Sequence, residues 1–570
     1  MNPDPSVSVR ALRAPLATRL PRLGAAALLS VLVGACHEST NPCPDNATTL
    51  IFTAQPSAVN AGVGFAVTVE ARDNTGKAAC GFTRIVTLSI ASNSGGGTLT
   101  GTTTVAAVAG VATFANISIN KVGTGYSLQA TSGTLSAATT TAFTITPGLP
   151  AALSVTSQPT NATAGATIAP AVVVTVLDNQ GNATGLTGNV AVAITAGTGA
   201  VGATLSGTTS LAAPLGIATF STLSIDKAAN GYTLTATATG LAQLATSAFN
   251  VIPGATAQLA FTTQPANADA GSVLAPAVVV TAQDSKGNLT PSFTGAATVA
   301  IGANPGSGTL SGTATLNAVA GVATFPALSI NKPGSGYTLT ATSGSLTPAT
   351  SAPFTIAVGS LAQFVFTQPP TNATAGVAIA PAVVVTGQDV AGNTVTGFNG
   401  NVTMSIGTNP SGGTLSGTLT VAAAAGVATF STLNIDKAGV GYKLTATAGA
   451  ASSQSAAFTI SAGAVTQIAF TVPPGNTTAG VAFAPAVVVT AQDSKGNVTP
   501  SFTGAVTVAI GTNPGSGTLS GTATLNAVAG VATFPGLSIN KPGSGYTLTA
   551  TSGSLTAATS APFTIAVGPV

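Results

Sequence analysis

One segment of about 24 residues occurs five times in this chain of 570 residues and constrains the fold more than any other feature. The third copy reads GVATFPALSINKPGSGYTLTATSG. Each copy contains one tyrosine, and these are all the tyrosines of the chain, 106, 105, 105 and 104 residues apart: Tyr126, Tyr232, Tyr337, Tyr442 and Tyr546. A period of about 105 residues suits a domain that buries its own core and is too long for a solenoid or propeller repeat. The sequence therefore predicts five domains in tandem.

The repeated segment predicts two strands joined by a tight turn. In the third copy, residues 322–330 have a period near two, and the pattern places Val322, Leu328 and Ile330 on one apolar face of a single strand. Residues 331–336 (NKPGSG) form a turn, because proline fixes φ and glycine permits positive φ. Residues 337–342 alternate again, so the second strand opens with Tyr337.

A tyrosine at the start of the same strand in every repeat resembles the tyrosine corner of immunoglobulin-like sandwiches. In that motif the hydroxyl donates a hydrogen bond to main chain a few residues upstream and fixes the crossover between the two sheets. We expect all five tyrosines to have this structural role rather than to stack on a ligand.

The other strand signals predict an all-β chain of five tandem immunoglobulin-like β-sandwich domains in an extended rod, with about seven strands each. The first strand is expected at Thr49–Ala54, antiparallel to a second at residues 65–73, and a Val-rich strand is expected at the centre of each repeat. Five sandwiches in line would extend on the order of 175 Å, at about 35 Å each. The predicted repeat boundaries are 48–148, 149–254, 255–359, 360–463 and 464–570.

Residues 1–35 have the features of a cleaved export signal, and residues 36–47 form a polar tether. Four arginines precede an apolar run at residues 23–33, which is too short to span a membrane. The run ends in VGAC, which resembles the lipobox of bacterial lipoproteins. The resemblance implies that Cys36 is lipidated and anchors the exported protein in the cell envelope, as an outer-membrane lipoprotein facing the surface. The alternative is a chance cysteine after an ordinary secretory signal.

The two remaining cysteines, Cys43 and Cys80, are predicted to form a disulfide. Export implies an oxidising compartment, in which a pair of cysteines usually joins. Cys43 precedes the first strand and Cys80 follows the second, so both fall at the same end of the first sandwich. Metal binding by two isolated thiols is the less favoured interpretation.

The composition argues against enzymatic and nucleic-acid functions. Without the four arginines and one aspartate of the leader, 11 basic and 11 acidic residues remain, so no basic footprint for nucleic acid is present. His37, the only histidine, lies in the tether, where it could not serve as a base for a serine in the repeats. Facing carboxylates for glycoside hydrolysis and ligand sets for zinc are also lacking, and no cofactor is expected.

One acidic residue recurs in a turn after each Val-rich strand. The turn reads DNTGK in the first repeat and D-x-x-G-N in the others, and its aspartates are Asp73, Asp178, Asp284, Asp389 and Asp493. An aspartate can cap such a turn by accepting the N–H groups that follow it. Calcium binding is the alternative, although calcium takes six to eight oxygen ligands, usually from several carboxylates.

Repeats 3 and 5 are nearly the same sequence. Residues 283–359 and 492–568 differ at only five positions, an offset of two repeats. This indicates recent internal duplication, either selected for length or valency or fixed by neutral drift.

The segments TAQDSKGN, GVATF and GYTLTA resemble the bacterial immunoglobulin-like domains of the invasin and intimin type. The resemblance covers nearly all of residues 48–570 and implies a role in stalks or adhesive rods on bacterial surfaces. The sequence analysis therefore predicts a non-enzymatic, lipid-anchored stalk or adhesin. A multivalent array that binds polysaccharide or matrix protein is the alternative, with a surface glycan or protein as its ligand and no nucleic-acid partner.

Overall fold

The computed structural model describes residues 43–568, and every regular element in this range is a β-strand. The prediction of an all-β chain is confirmed. The signal segment 1–35, the lipidation site Cys36 and most of the tether lie outside the described residues. Between residues 43 and 568 no helix has the length and apolarity needed to cross a membrane.

Each repeat contains ten to twelve strand segments, more than the seven expected, because several consist of only two or three residues. Those of repeat 1 are β1 Thr49–Ala54, β2 Val59–Asn60, β3 Phe65–Arg72, β4 Ile85–Ser92, β5 Leu99–Thr100, β6 Thr104–Ala106, β7 Val111–Ile119, β8 Gly123–Thr131, β9 Ala138–Thr139 and β10 Phe143–Thr146. Those of repeat 2 are β11 Ala152–Ser157, β12 Ala162–Thr163, β13 Val172–Leu177, β14 Asn189–Ile194, β15 Leu205–Ser206, β16 Ser210–Ala212, β17 Ile217–Phe220, β18 Ser224–Ile225, β19 Ala229–Tyr232, β20 Leu234–Ala238, β21 Leu244–Ala245 and β22 Phe249–Ile252.

The later repeats follow the same order. Those of repeat 3 are β23 Gln258–Thr263, β24 Ala268–Asp269, β25 Val278–Gln283, β26 Ala296–Ile301, β27 Leu310–Ser311, β28 Thr315–Asn317, β29 Val322–Phe325, β30 Ser329–Ile330, β31 Gly334–Tyr337, β32 Leu339–Thr342, β33 Ala349–Thr350 and β34 Phe354–Ala357. Those of repeat 4 are β35 Gln363–Gln368, β36 Ala373–Thr374, β37 Val383–Gln388, β38 Asn401–Thr408, β39 Leu415–Ser416, β40 Thr420–Ala422, β41 Val427–Phe430, β42 Asn434–Ile435, β43 Gly439–Ala448, β44 Ala451–Gln454 and β45 Phe458–Ser461. Those of repeat 5 are β46 Gln467–Val472, β47 Thr477–Thr478, β48 Val487–Gln492, β49 Ala505–Ile510, β50 Leu519–Ser520, β51 Thr524–Asn526, β52 Val531–Phe534, β53 Ser538–Ile539, β54 Gly543–Tyr546, β55 Leu548–Thr551, β56 Ala558–Thr559 and β57 Phe563–Ala566.

Two facing layers make up each repeat; each layer is one sheet in repeat 1, whereas the strands of repeats 2–5 are divided among three or four shorter sheets. In repeat 1 one sheet has the order β1-β3-β7-β5, and the other has the order β2-β10-β8-β4-β6, with β9 paired to β8. The strands pair antiparallel except for β2, which runs parallel to β10. The predicted antiparallel pairing of the first two strands is confirmed, with Thr49 opposite Arg72 and Phe52 opposite Val69. The fold is that of tandem immunoglobulin-like β-sandwiches.

Five hydrophobic clusters fill the spaces between the paired sheets, one in each repeat. The Val-rich strand is central, as predicted: β25 lies between β23 and β29 and buries Val278 and Val280. Because each repeat has its own core, its fold depends mainly on its own sequence.

The prediction of one strand over residues 322–330 is wrong in its register. The strand is interrupted between β29 and β30, and the core-facing residues are first Ala323 and Phe325 and then Leu328 and Ile330. The pairing with β25 ends at Phe325 and resumes at Ser329 with a different partner, β27. The same change of partner occurs in repeats 2 and 4, which have serine at the position of Pro326. The side-chain parity therefore changes within the segment, which a single period of two cannot represent.

Candidate functional site

The five tyrosines are completely buried, and each hydroxyl donates a hydrogen bond to the carbonyl of the lysine five residues before it. The distances from Oη to the carbonyl oxygen range from 2.8 to 3.0 Å, for Tyr126–Lys121, Tyr232–Lys227, Tyr337–Lys332, Tyr442–Lys437 and Tyr546–Lys541. Burial raises the pKa of Tyr232 and Tyr442. This is the contact of a tyrosine corner, and it leaves no tyrosine of the described chain free to stack on a ligand.

Glycines make room for the buried hydroxyl. A Cβ atom added at Gly308 would lie 2.7 Å from both the Tyr337 Oη and the Ile330 Cγ2. A Cβ at Gly306 would also collide with the same hydroxyl. Neither glycine needs a positive φ here, so the close approach of the tyrosine accounts for glycine at these positions.

The recurring turn aspartate caps its own turn. In repeat 3 the Asp284 Oδ1 accepts the main-chain N–H of Lys286 at 2.8 Å and that of Asn288 at 2.9 Å. The Oδ2 accepts the side-chain amide of Asn288 at 2.9 Å. It also accepts the main-chain N–H of Gly254, in the linker from repeat 2, at 2.8 Å. Protein N–H donors thus occupy both carboxylate oxygens, and a calcium ion would have to displace them.

The linker contact recurs at all four junctions between repeats. The N–H of the linker glycine donates to Oδ2 of the next aspartate at 2.8 to 3.1 Å, in the pairs Gly148–Asp178, Gly254–Asp284, Gly359–Asp389 and Gly463–Asp493. These aspartates are at most 4 % exposed. The turn aspartate therefore holds the linker as well as its own turn.

The asparagine that ends the turn contacts the preceding repeat, which the sequence analysis did not predict. The Asn288 Nδ2 donates to the carbonyl of Asp226 at 2.8 Å, and the Asn288 Oδ1 accepts the N–H of Ala228 at 2.9 Å. The equivalent amides donate to carbonyls of the previous repeat at 2.8 to 2.9 Å, in the pairs Asn182–Asn120, Asn393–Asn331 and Asn497–Asp436. We call this set of asparagine, aspartate and linker-glycine contacts the joint.

The joint between repeats 3 and 4 has a different donor to the asparagine Oδ1. Pro333 stands where Ala228 donates its N–H at the joint between repeats 2 and 3, and proline has no such donor. The Lys332 ammonium replaces this main-chain donor, because its Nζ donates a hydrogen bond to the Asn393 Oδ1 at 3.0 Å. The asparagine amide therefore remains fully hydrogen-bonded at this joint too.

A second contact involves the Ala-Gly turn of the preceding repeat. The tip of the next repeat's turn lies directly over its glycine, so that a Cβ at Gly271 would be 3.1 Å from the Ala391 Cβ. A Cβ at Gly165 would lie 2.5 Å from the Lys286 Cε. The Ala391 methyl also packs against the core of repeat 3. These glycines therefore allow the two repeats to approach closely.

Repeat 1 departs from this pattern at its own turn. Its sequence has Lys77 where the later repeats have asparagine, and the Lys77 side chain is exposed. The Asp73 Oδ2 is 3.4 Å from the Asn46 side-chain amide, which replaces the linker glycine. Hence the joint asparagine occurs only in repeats that follow another repeat in this chain, a sequence signal that could have revealed its role.

Hydrogen bonding favours the charged form of the buried aspartates. Burial of Asp284 opposes ionisation, but donation from the Asn288 side chain, the Asn288 N–H and the Gly254 N–H outweighs it, and the pKa is lowered. The pKa values of Asp178, Asp389 and Asp493 are lowered by the same balance. At neutral pH the joints therefore contain carboxylates.

Cys43 and Cys80 form a disulfide, with their Cα atoms 5.5 Å apart. It joins the start of the described chain to the loop after β3, at the end of repeat 1 that carries Lys77. Within residues 43–568, no group of three or more His, Cys, Asp or Glu side chains is arranged to hold a metal ion.

Surface grooves accompany two of the joints. One, of about 430 Å³, is lined by Val251, Ile252, Leu289 and Pro291 between repeats 2 and 3. Its counterpart between repeats 4 and 5 has a volume of about 490 Å³. No phenylalanine or tyrosine of the described residues is among the exposed large apolar side chains, so these grooves lack the aromatic platforms on which sugars commonly stack.

No protein-family model matches the sequence, and no curated protein matches it. Among solved structures, the Escherichia coli adhesin FdeC is similar with a TM-score of 0.26 and 19% identity, over 55% of this chain and 98% of that one. Extracellular cadherin domains 1–4 of protocadherin gamma B7 have a TM-score of 0.25 and 14% identity, over 66% of this chain and 92% of that one. Sidekick-1 immunoglobulin domains 1–5 have a TM-score of 0.18 and 12% identity, over 92% of this chain and 99% of that one. With TM-scores of 0.18 to 0.26, these similarities carry no conclusion about the function of this chain.

Proposed function

We propose that this protein is a non-enzymatic, lipid-anchored stalk or adhesin of a bacterial cell surface, built from immunoglobulin-like domains of the invasin and intimin type. The observation that carries the proposal is the joint, which occurs four times, each time with an asparagine amide donating to a carbonyl of the preceding repeat and a linker glycine donating to the turn aspartate. A chain of independent binding modules needs only flexible linkers, whereas a stalk must transmit position from one repeat to the next. Buried hydrogen bonds at every described junction fix neighbouring repeats to each other, as a stalk requires.

The anchor is assigned to Cys36, with the mature chain extending outward from the membrane. The disulfide Cys43–Cys80 would secure the repeat nearest to that anchor. In a bacterium with two membranes, replacing Cys36 by serine should release the protein from the membrane fraction, while protease added to intact cells should remove repeat 5 from the unmodified protein. Retention of the serine variant in the membrane would overturn the lipid anchor.

Because repeats 3 and 5 are nearly identical, the chain can be shortened by two repeats without creating a non-native sequence where the two parts are joined. Deleting residues 283–491 joins Ala282 to Gln492 and restores the native sequence on both sides, leaving three repeats and two native joints. For an extended stalk, the maximum dimension of the shortened protein in small-angle scattering should fall by about two sandwich lengths, roughly 70 Å. An unchanged dimension would contradict the extended arrangement.

A binding experiment separates stalk from adhesin. The soluble mature chain, residues 37–570, and the three-repeat form are tested on arrayed glycans, matrix proteins and intact bacterial cells. Binding that rises steeply from three repeats to five indicates a multivalent adhesin with a site in each repeat. Equal binding by both forms places the site outside the deleted repeats, and no binding to any surface favours the stalk. Turnover of an arrayed glycan would overturn the non-enzymatic assignment.

A further inference from the structure

We propose that the end face of repeat 5 is a docking site for an additional immunoglobulin-like repeat whose opening turn reads Asp-x-x-Gly-Asn. The inference does not depend on whether the array acts as a stalk or as an adhesin. The face is defined by Gly480 of the Ala-Gly turn, the carbonyl of Asn540, the ammonium of Lys541 and the linker residue Gly568.

The end face of repeat 5 has the same chemical groups as the end face of repeat 3, which is occupied by repeat 4. Repeat 3 presents Gly271, Asn331, Lys332 and Gly359 to repeat 4. Repeat 5 has the same residue types at the equivalent positions, in the shared sequences INKPGSGY and FTIAVG. The end face of repeat 5 therefore has the same groups with which the end face of repeat 3 binds the turn of repeat 4.

The loop that carries this face is already held in place within repeat 5. The Tyr546 hydroxyl donates to the Lys541 carbonyl at 3.0 Å, as Tyr337 does to Lys332 in repeat 3. This contact holds the corner loop that carries the Asn540 carbonyl. Docking would therefore require no rearrangement of the loop.

No part of the described chain, residues 43–568, covers the end face of repeat 5 at Gly480. A Cβ added at Gly480 would meet no atom within 4 Å, whereas the glycines at the same place in repeats 1–4 are covered by Gln180, Lys286, Ala391 and Lys495. Among residues 43–568, the Asn540 carbonyl receives no asparagine amide of the kind that reaches Asn331.

The occupant is an additional repeat and not the first repeat of a second copy. Repeat 1 offers Lys77 where the joint needs an asparagine, and a lysine can donate but not accept. The Lys77 and Lys541 ammonium groups would also meet at such a contact and repel each other. The turns of repeats 2–5 are already docked within their own chain.

The test extends the chain at its own linker. Residues 37–568 are followed directly by residues 360–463, which recreates the native sequence Val-Gly-Ser-Leu of the joint between repeats 3 and 4. Ser360→Thr in the added copy, at an exposed position, gives the new linker peptide a distinct mass in hydrogen-exchange measurements. The Gly568 amide should exchange at least about tenfold more slowly than in the unextended chain, because it then donates to an aspartate.

Two variants make the result specific. Asn393→Ala in the added copy alone should restore most of the fast exchange at the new joint. Gly480→Asn fills the face with a side chain that tolerates its φ of 78°, and should weaken the new joint while the joint between repeats 3 and 4 stays protected. Fast exchange at Gly568 with the strands of the added repeat fully protected would overturn the proposal, as would slow exchange unaffected by either variant.

Discussion

Tyr337 and Asn393, which belong to different repeats, hold two consecutive carbonyl groups of the same corner loop. The Tyr337 hydroxyl donates to the carbonyl of Lys332 at 3.0 Å from inside repeat 3. The Asn393 side-chain amide donates to the carbonyl of Asn331 at 2.9 Å from repeat 4. The loop that closes one sandwich is thus the loop on which the next one docks. Any change that loosens the corner should also loosen the joint.

Tyr337→Phe should destabilise repeat 3 by about 1 kcal/mol, because it removes a buried hydrogen bond and leaves the Lys332 carbonyl without its donor. Calorimetry of the mature chain measures the loss. Tyr546→Phe is the matched variant, since no described repeat docks on its corner. Protection of the Gly359 amide should fall in the first variant, and an unchanged melting profile in both would contradict the tyrosine-corner assignment.

Asn288→Ala should uncouple repeats 2 and 3 at a cost of about 1 to 2 kcal/mol, because it removes the contacts to Asp226 and Ala228 while leaving both repeat cores intact. The measurement is hydrogen exchange, and the amide of the linker residue Gly254 should exchange faster in the variant. Lys77→Ala, at the same turn position of repeat 1, should change neither exchange nor melting temperature. Equal effects of the two substitutions would mean that the Asn288 side chain does not couple the two repeats, and a lower melting temperature with unchanged exchange at Gly254 would mean that it acts only within its own turn.

Gly517→Ala should destabilise repeat 5 by about 1 to 3 kcal/mol through overpacking. Its Cβ would lie 2.7 Å from the Ile539 Cγ2 and 2.8 Å from the Tyr546 Oη. Gly536→Ala in the same repeat should be harmless, because its Cβ would meet nothing within 4 Å and repeat 3 has Ala327 there. Urea unfolding of the two variants compares them, and equal midpoints would refute the steric argument.

Acid should weaken the joints. The folded-state pKa values of the four joint aspartates are lowered. Their ionised form therefore contributes stability above the ordinary aspartate pKa of about 3.9, and this contribution is lost as the pH falls through the lower folded values. The melting temperature should be nearly constant from about pH 7 to 5 and fall below about pH 4. Asp284→Asn should reduce this acid dependence, and an unchanged dependence would contradict the role of the ionised carboxylate at the joint.

The mature protein should contain no free thiol before reduction. Labelling of denatured, non-reduced protein residues 37–570 with a maleimide, followed by mass spectrometry, should leave Cys43 and Cys80 unmodified. Reduction should lower the stability of repeat 1 by about 3 to 4 kcal/mol in the loop-entropy account, for a sequence separation of 37 residues. Quantitative labelling of both cysteines without reductant would remove the disulfide.

Much of the fold follows from local patterns, and the errors arise where a pattern changes within one segment. The uninterrupted run of valines predicts a central strand, and β25 is central, with Val280, Thr281 and Ala282 buried in succession. A single period of two from Val322 to Ile330 predicts one apolar face, but the strand changes partner after Phe325 and its side-chain parity shifts there. Periodicity reports which residues share a face only while the backbone pairing is unbroken.

The number of repeats, their all-β class and the position of the tyrosine in each can be predicted from the sequence, because they depend on spacing and on short-range alternation. The role of the turn asparagine became visible only in the folded chain. Asn288 reaches main-chain groups about 60 residues earlier in the chain, and no local pattern encodes such a partner. Its aspartate neighbour could be identified as a turn cap because the donors it was predicted to bind lie two and four residues away. A joint between folded domains exists only after both have folded, and its residues therefore look in the sequence like ordinary turn residues.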